Sequence, residues 1–194
     1  MISIQVNEKQ LKELTLAVGR AKKSFPKELA AAINETAKKT RLNMGREIRE
    51  TVNIKKKDVE KSIKISATAT GTSLKGVVSL KKDNRVGLQH FGGRQNKSGV
   101  SYKISKSGGR KTIAGAFMGP KPGQLAPKLH GGVFRRASTT RLPLIKLYGV
   151  SPYGAFVKNN FLESEVVFID KTLQAQIERR IKLNVLRANG LVSK

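Results

Sequence analysis

Apolar positions along the chain change period twice, from helical spacing to alternation and back, and the elements follow from that. The opening residues, 2–6, alternate and predict a short strand. Leu11, Leu14 and Val18 then stand three and four apart, which predicts a helix over 8–21. A second helix follows, with Ser24 and Pro26 as its N-terminal signal and Leu29, Ile33, Ala37, Met44 and Ile48 marking one face down to about residue 50. Its other face carries Lys38, Lys39, Arg46 and Arg49, partly balanced in helical register by Glu35, Glu47 and Glu50, so this helix reads as structural. Val59 and Ile63 predict a short third helix over 56–63, with Asp58 near the positive end of its dipole.

From residue 63 the pattern becomes that of strands. Residues 63–70 and 73–81 flank Gly71 and predict an antiparallel hairpin, in which the pair Val77-Val78 breaks alternation and implies a bulge or burial on both faces. Residues 92–111 read as a Gly-punctuated loop around a short strand at 100–104, and further strands are predicted at 111–118, 132–136 and 144–148. Between them, residues 119–132 hold three of the six prolines and predict a mobile, basic Gly/Pro-rich loop. Ser151-Pro152 opens a short helix through Phe156 and Val157. Residues 163–188 then carry Val166, Ile169, Leu173, Ile177, Ile181 and Val185 as one helical stripe ended by Gly190. The expected fold class is α+β, a small antiparallel sheet flanked by N-terminal helices and a long C-terminal helix, in a single domain over 1–194.

Composition narrows this further. With 38% apolar residues, 5% aromatics and no Trp, the core must be built from Ile, Leu, Val and Ala. The chain has no Cys, which excludes disulfides and thiolate metal sites. No apolar run of about 18 residues occurs, so no transmembrane helix is expected. The N-terminus lacks the order of a signal peptide, and a cytosolic origin is expected.

Charge changes the picture most. Of a net charge of +26, residues 75–146 carry +15, from sixteen Lys and Arg against the single acid Asp83. Such a density of unpaired cations repels itself and implies an anionic partner, nucleic acid first, although lysines and arginines also serve simply to solvate a surface. Arg94, Lys97, Lys103, Lys106, Arg110 and Lys111 fall on predicted loops and strand ends, where flexible cations can follow a phosphate backbone without reading sequence. Tyr102 is the one aromatic inside that cluster, so base stacking is not expected.

Chemistry beyond binding is poorly supplied. His90 and His130 adjoin Gly-containing turns without the spacing of a metal site, and read as turn or packing residues. Acids and bases are too few in the basic stretch for a two-metal nuclease or polymerase. Gly108-Gly109-Arg110-Lys111 can present backbone N–H groups and charge to one phosphate, but hairpin geometry accounts for its glycines equally well. No enzyme activity and no cofactor are expected.

Taken in order, LQHFGGRQNKSGVSYKISKSGGRKTIAGAFM, HGGVFRRAS and RLPLIKLYGVSPYGAF resemble the minor tail protein Z family, the tail completion proteins of long-tailed phages and prophages. The matching elements are Leu88 with Phe91 and Arg94-Gln95, Gly99-Val100, Arg110-Lys111, Gly115-Ala116-Phe117, Gly132-Val133-Phe134 with Arg136, and Leu142-Pro143 followed by Leu147-Tyr148-Gly149, within residues 86–156. The resemblance implies a virion component at the head-proximal end of the tail, made in the host cytoplasm and needed for head–tail joining and genome delivery. It also implies neighbouring tail and neck proteins as partners and a sixfold homo-oligomeric ring close to DNA. The family offers no catalytic motif to carry over. Phe91, Phe117, Phe134 and Tyr148 are then core or inter-subunit anchors, and Arg94, Arg110, Lys111, Arg135, Arg136 and Arg141 are candidates for phosphate or acidic protein surfaces, between which arginine does not choose. The alternative is a free, non-specific nucleic-acid-binding protein.

Overall fold

The computed structural model describes residues 2–5, 25–120, 129 and 131–188. Their contacts group them into two compact units, the first formed by residues up to 44 with 63–80 and 160 onward, the second by 45–62 with 81–159. The fold class is α+β, with helices near both ends and three small antiparallel sheets. The predicted helix over 8–21 and the centre of the predicted 119–132 loop lie outside the described residues.

In the first unit, β1 (Ile2–Gln5) and β2 (Ile63–Ala67) flank β3 (Lys75–Leu80). Helix α1 (Phe25–Thr51) has its residues up to Met44 in this unit. Its predicted apolar face is its buried face: Leu29, Ile33, Ala37 and Met44 are at most 2% exposed. Gly76 of β3 lets the helix come close, because a Cβ there would stand 2.9 Å from Ile33 Cγ2. Asn34 fixes the hairpin to the helix, its amide donating to Ala69 O at 2.9 Å and its carbonyl accepting from Ala69 N at 2.8 Å. The anticipated irregularity takes both forms. Val77 and Val78 are both buried, and opposite them the register shifts between Ile65 and Ala67.

The long C-terminal helix, α4 here (Phe161–Ala188), is present, and its buried stripe follows the predicted one except at its start. Ile169, Leu173 and Ile177 are buried as expected, Val166 is 47% exposed, and the buried position beside them belongs to Glu165. Glu165 Oε1 accepts from Asn43 Nδ2 at 2.9 Å, and Arg180 Nη1 meets Glu28 Oε2 at 3.0 Å, so polar pairs join α4 to α1. An apolar stripe read by period alone cannot register a buried carboxylate that brings its own partner. The side chain of Val185 lies outside the described residues.

In the second unit, α2 (Lys56–Glu60) is shorter than predicted, since Ile63 pairs with Leu80 as a strand residue of the other unit's sheet. The segment expected as loop at 92–111 contains β4 (Arg94–Asn96), which pairs with β5 (Gly99–Tyr102) across a two-residue turn. The single strand expected at 111–118 is two strands, β6 (Lys111–Ala114) and β7 (Ala116–Met118), which belong to different sheets. Gly115 between them sits at φ +68°, where the chain leaves one sheet for the next. Strand β8 (Val133–Arg136) lies between β7 and β9 (Leu144–Lys146), and α3 (Pro152–Lys158) follows, capped by Ser151 Oγ, which accepts from Gly154 N at 3.0 Å. A 3-10 turn, Leu88–Phe91, was not legible in the sequence; it buries Phe91 completely.

Candidate basic interface

Strand register decides which cations share a surface. In the sheet β4-β5-β6, Arg94 stands opposite Ser101 and Ser101 opposite Thr112, while Tyr102 stands opposite Lys111. Neighbours along a strand alternate faces, so Arg94 lies on the Ser101 face and Lys111 on the other, beside Tyr102. Lys97 is exposed in the turn between β4 and β5.

Arg110 is held by the protein itself. Its Nη2 donates to Gly92 O at 2.7 Å, Ser101 O at 3.1 Å and Ser101 Oγ at 3.0 Å, tying the Gly-Gly turn to β5 and to the end of the 3-10 turn. Lys111, the next residue, is exposed and has no such bonds among the described residues. The two cations that look alike in sequence therefore differ in role.

Lys103 and Lys106 lie where the chain passes the end of α1. Asn53 N donates to Ile104 O at 2.7 Å, Asn53 Nδ2 to Lys103 O at 3.1 Å, and Lys106 N to Thr51 O at 2.9 Å. The backbone is thus fixed, Lys106 is exposed and Lys103 is half-buried. Asn53 and Gln95, whose amide donates to Asn96 O and Gly99 O and whose carbonyl accepts from Met118 N at 2.8 Å, position these strands. Nothing in their sequence neighbourhood marks them for that work.

The sheet β7-β8-β9 separates Arg135 from Arg136. Arg135 pairs with Ala116 and Ile145, whereas Arg136 shares its face with the row Phe117, Phe134 and Lys146. The Arg136 guanidinium sits 5.8 Å from the Phe117 ring centroid, and its Nη1 donates to Arg141 O at 3.0 Å. Lys146 Nζ lies 5.7 Å from the Tyr148 ring centroid. Phe117 and Phe134 meet at a centroid distance of 6.2 Å. Lys146 belongs to this surface although its sequence context did not single it out, because only the register with Phe134 brings it there.

Of the four expected anchors, Phe91 and Phe134 are buried, Phe117 is half-buried and Tyr148 is 45% exposed. Phe91 packs against Gly149, where any Cβ would overlap its ring. Tyr148 does not fill the core; it presents a ring at the surface, bridged by its backbone to Gly87. His90 Nδ1 faces Asp58 Oδ2 at 2.7 Å and so joins the 3-10 turn to α2, while His130 lies outside the described residues. No group of three or more His, Asp or Glu placed to hold a metal ion occurs among the described residues, nor does a helix long and apolar enough to cross a membrane. No protein-family model, no curated protein and no solved structure matches the chain.

Proposed function

We propose that the chain is a structural connector of a phage tail, a tail completion protein set at the head-proximal end, assembled in a ring and close to the path of the genome. The reading starts from the resemblance over residues 86–156. The observation that carries it is the surface of the second unit, where Arg94, Lys97, Lys106, Arg110, Lys111, Arg135, Arg136 and Arg141 are all exposed. Arg94, Lys111, Arg135 and Arg136 lie on both faces of two sheets and the other four in the connecting turns and loops, which suits many weak contacts to phosphate and acidic neighbours better than one catalytic cleft.

Particles assembled without the protein test this reading. Filled heads and tails are expected to accumulate unjoined, and restoring the chain is expected to join them. Normal yields of joined, infectious particles in its absence contradict it.

The second reading, a free nucleic-acid-binding protein, is favoured by the same exposed cations. It requires tight duplex binding by the isolated chain, with a log–log salt slope of about −0.9 for each phosphate neutralised. A chain that binds duplex only within assembled tails excludes it.

A further inference from the structure

Two exposed surfaces of the chain are matched to one another. On α4, Glu163, Val166, Val167 and Asp170 follow the spacing i, i+3, i+4, i+7 and so lie on one helix face, with Leu162 beside them. Leu162, Val166 and Val167 are 52%, 47% and 53% exposed, and neither carboxylate has an ion-pair partner among the described residues. This is an acid–apolar–acid stripe in a chain of net charge +26. The sheet β7-β8-β9 carries the opposite pattern: Arg136 and Lys146 are exposed on the face of Phe117, beside the exposed ring of Tyr148.

The spacings agree as well as the signs. Seven residues of helix set Glu163 and Asp170 about 10.5 Å apart along the axis. Arg136 pairs with Leu144, two residues before Lys146 in the neighbouring strand, so the two cations stand about 8 Å apart on a diagonal of the sheet. Long side chains close the difference.

We propose that the Glu163–Asp170 stripe of one copy docks on the Arg136–Lys146 face of a second copy. The contact is heterologous, joining two different surfaces, so it propagates from copy to copy and closes into a ring or continues as a filament. It places Val166 and Val167 against the aromatic face and sets each carboxylate against a cation. A second copy fits this face better than nucleic acid, because cations already lie over the Phe117 and Tyr148 rings and a stacking base would have to displace them. One contact accounts for both exposed surfaces. It rests on the connector reading only for its biological setting, since self-association in solution and location in a particle fail independently.

Sedimentation of the full chain at low salt tests the contact. The wild type is expected to self-associate with concentration and to dissociate as salt is raised. A helix variant, Glu163→Lys with Asp170→Lys, and a sheet variant, Arg136→Glu with Lys146→Glu, are each expected to weaken self-association by roughly tenfold or more. Mixing the two variants sets intact helix against intact sheet and reversed helix against reversed sheet, so association is expected to return in the mixture; mixing the neutral variants, Glu163→Gln with Asp170→Asn and Arg136→Gln with Lys146→Gln, leaves only the first contact and is expected to stop at a one-to-one dimer. Circular dichroism identifies a variant that fails to fold, and the neutral pair Glu163→Gln with Asp170→Asn then takes the helix variant's place, as Arg136→Gln with Lys146→Gln does for the sheet. A wild type that stays monomeric overturns the proposal. So does a mixture that stays monomeric, or a sheet variant that loses duplex or single-strand binding while associating as the wild type does.

Discussion

Arg110 and Lys111 stand side by side and carry the same charge, yet the protein uses them differently. Arg110 gives one nitrogen to three acceptors, so Arg110→Ala is expected to lower stability by about 1 kcal/mol, the value for charge-assisted bonds discounted for solvent exposure. Lys111→Ala is expected to change stability by less than about 0.5 kcal/mol, in line with exposed positions generally. Urea unfolding of the two variants measures both; equal losses would show that the Arg110 bonds do not hold the turn. Gly149→Ala is expected to cost about 1 to 3 kcal/mol in the same assay, since the new methyl must displace the buried Phe91 ring. Glu35 shows a weaker effect: its hydrogen bond from Lys38 holds the carboxyl below its usual value. A lowered carboxylate value stabilises the fold above the unfolded-state value and loses that contribution as pH falls through the folded one, but solvent screens so exposed a pair. At this scale the sequence disclosed the residue types and not their partners. The Gly-Phe elements around Phe91, Phe117 and Phe134 were legible because large apolar residues are few here. The bonds of Arg110, Gln95 and Asn53 were not, because each reaches across strands whose register no local pattern encodes.

The elements were legible wherever one period ran long enough to fix a face. Helix α1 keeps its predicted apolar stripe over five named positions, and the hairpin of β2 and β3 keeps its place. Short polar strands were not legible: Arg94-Gln95-Asn96 has no apolar alternation and is a strand only because β5 pairs with it. The break inside the basic stretch turns on Gly115, which has a positive φ and no neighbour within reach of an added Cβ. Gly115→Ala is therefore expected to cost about 1 to 2 kcal/mol through backbone conformation alone. Gly109→Ala serves as the control: its Cβ also meets nothing and its φ lies outside the positive region, so the change is expected to be neutral or slightly stabilising. Equal effects at the two positions, read by thermal unfolding, would show that the turn between β6 and β7 has no special demand. The exposure of Val166 at the start of the α4 stripe has the same origin as the shortened α2. Tertiary partners, Asn43 for Glu165 and Leu80 for Ile63, outweigh the local period.

Across the whole chain, the charge of residues 75–146 is the feature read most directly from the sequence, and the fold changes what it means. Among the described residues of the second unit, Arg94, Lys111, Arg135 and Arg136 lie on both faces of two sheets, and Arg110 and Arg136 are tied to backbone carbonyls. Replacing Lys97 and Lys111 by Ala, both exposed, is expected to reduce the log–log salt slope of DNA binding by as much as about 1.8 if each meets a phosphate. An unchanged slope would remove them from the DNA contacts. The central claim is a place in a particle, and negative-stain imaging of purified tails carrying a gold-labelled copy of the chain tests it most directly. Gold confined to the head-proximal end is the expected result; gold along the tail shaft, at the distal tip, or absent from tails altogether would contradict the connector reading.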